Sequence, residues 1–189
     1  NDIGGFASLP TRNGDKPRVV FSVSDKEIVK HISNNIRNNP DQQFGIIVDG
    51  YKSVVKRYYN KLTNELNNDN NYSVQCYISG DREFHYNNLD FEATNTVTIL
   101  NKMSAKGTEF DIVYYVGLEN QDYHADDGFV QKMAVYVMSS RPRNKLTICV
   151  SGISNKDDLP SVMKIFPKNG SDLCRYIGLG DLPSVMAVE

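Results

Sequence analysis

Two short stretches of this chain hold residue types that handle phosphate. The first is Ser104-Ala105-Lys106-Gly107-Thr108-Glu109-Phe110-Asp111, where a small residue, a cation, a glycine and two carboxylates fall close together. Lys106 and the backbone N–H groups around it can face a phosphate or a nucleic-acid backbone. Gly107 lets the backbone approach a ligand closely or take a positive φ. Glu109 can accept hydrogen bonds from a ribose hydroxyl. The second stretch is Ser139-Ser140-Arg141-Pro142-Arg143-Asn144-Lys145. There Arg141 and Arg143 can act as planar, bidentate phosphate donors. On residue types alone each stretch also fits a plainer role. The first reads as a charged loop, the second as basic residues suited to a helix C-terminal dipole.

The elements around these stretches decide where they stand. Arg18–Ser22 (RVVFS) is a short apolar run that reads as a buried strand. Ser24 can cap the helix that follows, in which Ile28, Ile32 and Ile36 recur every fourth residue beside Val29, and Pro40 forbids further helix. Phe44–Asp49 (FGIIVD) is the next strand. Val54, Val55, Tyr58, Tyr59, Leu62 and Leu66 then form a stripe at helical spacing, and the polar run 64–71 reads as an exposed loop. Ser73–Ile78, Thr96–Leu100, Ile112–Val116 and Leu146–Val150 read as further strands. Between the last two, Phe129, Met133 and Val137, with Val130 and Ala134, predict an amphipathic helix. Wholly apolar strands alternating with helices predict an α/β fold, a mostly parallel sheet covered on both faces. Such sheets bind ligands at the carboxyl ends of their strands, which directs attention to the loops after Leu100 and after the 129–140 helix.

The division expected is an arm or linker over 1–17, one α/β domain over 18–152, and a tail with short helices over 153–189. In that tail DLPSVM occurs at Asp158–Met163 and again at Asp181–Met186, read as two similar helix starts with a capping Asp and a Pro in the first turn. The chain opens on Asn1 and not on Met, which suggests a piece of a longer polypeptide.

Composition excludes several classes. The 189 residues, 40% hydrophobic and 23% charged, suit a globular domain with a full core. No apolar run is long enough to span a bilayer, and no basic start precedes an apolar stretch. A net charge of −2 and a pI near 5.9 argue against a nucleic-acid-coating protein, so any such contact must be a local groove. Cys76, Cys149 and Cys174 form no CxxC or zinc-spaced set. They read as reduced thiols of a cytoplasmic protein, with Cys76 and Cys149 as small buried hydrophobes. His31, His85 and His124 are scattered and make no triad or metal set. Tyr58, Tyr59 and Tyr114 fall on core stripes, so packing is expected of them and not base stacking.

Taken together the two stretches resemble a known family. SAKGTEFDIVYYVGLE is similar to motif V of the UvrD/Rep/PcrA superfamily-one DNA helicases, close to THSAKGLEF followed by a hydrophobic strand and VGL. YVMSSRPRNKL is similar to motif VI, usually YVALTRAR before a hydrophobic strand, and FGIIVDG resembles a strand written roughly IAILVRT in the same domain. The motifs stand in the family's order, and the resemblance covers about residues 18–152. It implies the second RecA-like domain of such a helicase, a P-loop NTPase-type fold without the P-loop. It further implies that Arg141 is the arginine finger on the γ-phosphate of ATP. Glu109 would lie near the ribose, with Gly107 and Lys106 in the same turn and Arg143 beside the nucleotide. Asn101, Met103 and Ser104 would touch single-stranded DNA, while Tyr136 and Val137 would pack. ATP and Mg2+ would be bound mainly by a first RecA-like domain of the same polypeptide, with single-stranded DNA as the other partner and no membrane.

The chain departs from the pattern where Asn101 replaces Thr, Met103 replaces His, Thr108 replaces Leu, Ser140 replaces Thr and Pro142 replaces Ala. It contains no GxxxxGK followed by Ser or Thr, and no Asp-Glu pair of the metal-binding type after a strand. The chain alone is therefore expected neither to bind ATP tightly nor to hydrolyse it. The substitutions at Asn101 and Met103 leave a rival expectation, a non-catalytic helicase-derived module that binds protein or nucleic acid.

Overall fold

The computed structural model describes residues 15–67, 71–91, 93, 95–120, 128–155, 159–168 and 171–178. Its centre is a seven-stranded sheet in the order β3-β4-β2-β5-β6-β1-β7, with every described pairing parallel. The strands are β1 Arg18–Phe21, β2 Phe44–Val48, β3 Ser73–Tyr77, β4 Thr96–Asn101, β5 Phe110–Val116, β6 Pro142–Val150 and β7 Arg175–Ile177. Helices α1 Asp25–Asn38, α2 Lys52–Leu66 and α3 Gly128–Ser139 complete the fold, with short 3-10 turns at Tyr86–Asn88, Leu118–Asn120 and Ser161–Ile165. The α/β class expected from the pattern is the one found.

Local chemistry accounts for α1. The Ser24 hydroxyl accepts from the N–H of Glu27, the acidic Asp25 and Glu27 sit in the first turn, and Arg37 sits in the last. The helix stops at Asn38, since the residue before Pro40 is pushed out of the α region. Ile28, Ile32 and Ile36 are buried against Ile46, Val48, Tyr58 and Tyr114, and each such side chain stabilises the fold by about 1.5–3 kcal/mol. On this face α1 and α2 cover the sheet. On the other face Ile47, Leu100, Val113, Tyr115 and Ile148 pack with Met138 of α3 and with Val162 and Met163.

The structure differs from the sequence reading in five places. Helix α2 continues through Leu66, which is buried, so the polar run read as loop from residue 64 begins inside the helix. Strand β6 begins at Pro142, four residues early, since a proline at the first strand position gives up no ladder hydrogen bond. Ser161–Ile165 is a 3-10 turn whose N-cap is Pro160; Asp158 and the second DLPSVM lie outside the described residues. Of the stripe expected to bury α3, Phe129 and Met133 are exposed, 76% and 44%, while Val137 is half-buried against the core and Met138 is the buried anchor at 2%. Tyr136, expected to pack, is also exposed. Within the segment read as tail, β7 adds a seventh strand beside β1 through the pairs Arg18–Arg175 and Val20–Ile177.

Candidate functional site

Both β4 and β5 pair with β2 in parallel, one on each side. Residues 102–109 must therefore carry the chain from the carboxyl edge of β4, over the face of β2, to the amino edge of β5. Parallel crossovers commonly take a dozen residues or more. This one is shortened by tight turns. The carbonyl of Asn101 accepts from the N–H groups of Ser104 and Ala105, both at 3.1 Å, and Thr108 N–H donates to Ala105 O at 3.3 Å. Ala105 is buried against the sheet, and Gly107 takes φ +85°, the left-handed conformation that glycine adopts without strain.

The turn thus divides the expected site residues between two edges of the sheet. Asn101, Met103 and Ser104 stand at the carboxyl edge. The Asn101 Oδ1 accepts a second bond from Ser104 N–H at 2.8 Å, so this side chain shapes the turn itself. Met103 points outward, 63% exposed, over an open apolar cavity of about 420 Å³ lined also by Lys106, Phe129, Val130 and Met133. Glu109 stands exposed at the amino edge, and Lys106 and Gly107 lie exposed between the two. A side chain at Gly107 would meet nothing within 4 Å, so the space above it is open.

Arg141 meets the far end of the turn. Phe110 N–H donates to Arg141 O at 3.2 Å, and Arg141 Nη1 donates to Thr108 O at 3.5 Å. The same guanidinium caps α3 through Nε to Val137 O at 2.9 Å and touches Ser140 Oγ at 3.0 Å. Its loop leads into β6 and therefore lies at the amino edge. The sequence reading grouped it with the carboxyl-edge loops, but a crossover helix returns the chain to the start of the next strand. Arg143 is held by Asp111, Nε to Oδ1 3.1 Å, and by a hydrogen bond to Gln43 Oε1. A shift of register between Phe110 and Ile112 aims Asp111, whose other oxygen accepts from Gln43 N–H at 2.9 Å. These residues line a cavity of about 360 Å³ with Asp41 and Asn95.

The carboxyl edge holds a second polar cluster that sequence reasoning missed. The Ser151 hydroxyl lies 2.7 Å from Asp25 Oδ1 and 2.9 Å from Glu119 Oε1, so two carboxylates share one proton donor. Asp25 also accepts from Tyr58 OH at 3.2 Å and pairs with Arg57 at 2.9 Å and Lys61 at 3.4 Å. Burial and the nearby Asp25 charge hold the Glu119 carboxyl above its ordinary value, despite bonds from Ser151. At Asp25 burial works upward but is outweighed by Ser151, Arg57 and Lys61, so its carboxyl lies below its usual range. The three residues are 94 and 32 positions apart along the chain, and no local motif signals their meeting.

With this geometry in place, comparison with known proteins gives a fold. No protein-family model matches the chain, and no curated protein matches it. Among solved structures it is similar to the C-terminal domain of a possible DNA helicase from Lactobacillus plantarum WCFS1. The identity is 20% and the TM-score 0.61, with 89% of each chain covered. It is also similar to domain 2 of the DEAD-box helicase Mss116p, solved bound to an RNA duplex. There the identity is 10% and the TM-score 0.54, covering 92% of this chain and 70% of that one. The chain has the RecA-like α/β fold of helicase C-terminal domains. Among the described residues no helix is long and apolar enough to cross a membrane.

Proposed function

We propose that this chain is the second motor domain of an ATP-dependent DNA helicase of the UvrD/Rep/PcrA type, acting in the cytoplasm. The observation that carries the reading is the junction of the two motif-like segments. Arg141 and Thr108 lie 33 positions apart in the chain, yet the guanidinium of one bonds the carbonyl of the other. A cation for phosphate and the exposed Glu109 carboxylate for a sugar hydroxyl therefore share one edge of the sheet, beside open space at Gly107. This donor set suits one wall of a nucleotide cleft, and the fold likeness supports that assignment.

In this reading a first RecA-like domain binds ATP and Mg2+ and holds the phosphates. Hydrolysis of that nucleotide supplies the free energy for movement along single-stranded DNA. The part of this chain is to present the planar guanidinium of Arg141 to charge that builds on the phosphate oxygens. Lys106, Gly107, Glu109 and Arg143 frame the same wall. Asn101, Met103 and Ser104, at the opposite edge, form part of the DNA track.

The test is DNA-stimulated ATPase of a polypeptide that joins this chain to its first motor domain. Arg141→Ala is expected to lower the rate by about 10³-fold or more, and Arg141→Lys not to restore it, because ammonium cannot reproduce the guanidinium fork. A wild-type rate in Arg141→Ala would remove the arginine-finger assignment.

A second reading, a non-catalytic helicase-derived binding module, is favoured by the exposed apolar face of α3 beside Met103. Tight partner binding by the chain, unchanged in Arg141→Ala, would favour this reading over the motor.

A further inference from the structure

Lys102 follows β4 directly, and its side chain turns toward the end of β2, whereas Met103 and Lys106 of the same turn are exposed. Its N–H donates to Val48 O at 3.1 Å, and its Nζ lies 2.7 Å from Asp49 Oδ1. The other Asp49 oxygen accepts from Tyr115 OH at 2.5 Å, and Asp49 N–H donates to Val116 O at 2.7 Å. The Asp49 carboxylate is 4% exposed and the Lys102 side chain 31%. Gly117, at φ +87°, lets the chain leaving β5 pass Asp49 so closely that a Cβ there would lie 2.5 Å from Asp49 O. One buried carboxylate therefore ties together the carboxyl ends of β2, β4 and β5.

Such a pair is poor evidence for stability, because desolvation offsets much of the attraction and a well-packed apolar pair often serves as well. What a buried pair does provide is a single geometry. A methylene chain can lie in many rotamers, but an ammonium tied to a buried carboxylate has one place to be. That place is the root of the turn. Beyond it the turn is held by the Asn101 bonds to Ser104 and Ala105, passes the exposed Lys106 and Gly107, and is held again where Thr108 bonds Ala105 and Arg141.

We infer that Asp49, Lys102 and Tyr115 are positioning residues for the 102–109 turn, setting where Met103 and Ser104 are presented at the carboxyl edge and where Lys106 stands beyond it. Lys102 borders the open cavity beside Met103, with its ammonium held 2.7 Å from Asp49 Oδ1. What the triad positions rests on the proposed reading of this turn as a nucleic-acid contact; that it positions the turn does not.

Lys102→Met alone would strand a buried carboxylate and is expected to unfold much of the protein. The informative variant is Asp49→Asn with Lys102→Met, which removes both charges together. In the intact 189-residue chain three quantities decide: thermal midpoint, amide exchange of residues 102–107, and anisotropy of a labelled oligothymidylate. The double variant is expected to melt near the parent, while the Ser104 and Ala105 amides exchange about tenfold faster or more. Oligonucleotide affinity is expected to fall by about tenfold, because the contacts are no longer held in place. Parent-like exchange in a folded double variant would overturn the inference; faster exchange with parent-like affinity would overturn the nucleic-acid role given to the turn. Should the double variant not fold, Tyr115→Phe, which removes one hydroxyl from Asp49, decides by the same exchange, and unchanged protection of the turn would overturn it. A parent chain that binds no oligothymidylate would refute the nucleic-acid reading alone, with exchange still deciding the positioning role.

Discussion

Arg141 Nε donates to Val137 O across 2.9 Å, so the side chain assigned to phosphate closes the last turn of its own helix. The C-terminal carbonyls of a helix lack intrahelical partners, and a cation there satisfies both hydrogen bonding and dipole. Arg141→Ala is accordingly expected to destabilise the isolated chain by about 1 kcal/mol, the usual net value of such a bond. Chemical denaturation measures this directly. A loss beyond about 3 kcal/mol would show that Arg141 holds the fold itself, and an ATPase defect could then no longer be read as loss of a finger.

Gly107 and Gly117 share nearly the same backbone, φ +85° and +87°, but not the same surroundings. A Cβ at Gly107 meets open space, whereas at Gly117 it meets Asp49 O at 2.5 Å. Gly107→Ala should cost about 1 kcal/mol, from the left-handed conformation alone. Gly117→Ala should cost several times more, since two strand ends must part. Equal melting points for the two variants would contradict the close approach of the β2 and β5 ends.

The carboxyl-edge cluster gives stability two opposed pH dependences. Glu119 binds its proton more tightly in the folded state than its ordinary 4.5, so its contribution is full below that value and is lost as pH rises through the folded pKa. Asp25 is shifted below 3.8, so its contribution is present above that value and is lost as pH falls through the folded pKa. Glu119→Gln is expected to flatten the decline on the neutral side, and Asp25→Asn to flatten the decline on the acid side. Urea midpoints between pH 3 and 8 would show it, and identical curves for Glu119→Gln and the parent would refute the shared-proton arrangement.

How far the sequence was legible depended on contrast between neighbouring residues. Strands β2, β4 and β5 are apolar runs bounded by turn residues, and α1 sets isoleucines against charged positions, so period and boundary were both visible. The carboxyl-edge cluster was invisible because Asp25, Glu119 and Ser151 are brought together by strand order alone. The split of the 102–109 turn between two edges was hidden for the same reason, since only the placement of β4 and β5 on either side of β2 stretches the segment across the sheet. Strand β7 has three residues, too few for periodicity to register.

Helix α3 is the case where the pattern misled, and it yields the sharpest structural test. In GFVQKMAVYVMS every position from Met133 to Met138 is apolar, so a stripe through Phe129, Met133 and Val137 is no better marked than one through Met138. The sheet decides between them, placing Met138 among Ala105, Leu118 and Ile148 in the core. Met138→Ala is expected to destabilise the chain by about 2–5 kcal/mol through lost burial and the cavity left behind. Phe129→Ser, on the exposed side, should stay within about 0.5 kcal/mol of the parent. The same exposed variant should lower binding of an apolar surface dye, because Phe129 and Met133 form much of that open face. The reverse ranking, with Phe129→Ser the more damaging, would mean that α3 is rotated to bury the stripe its spacing suggests.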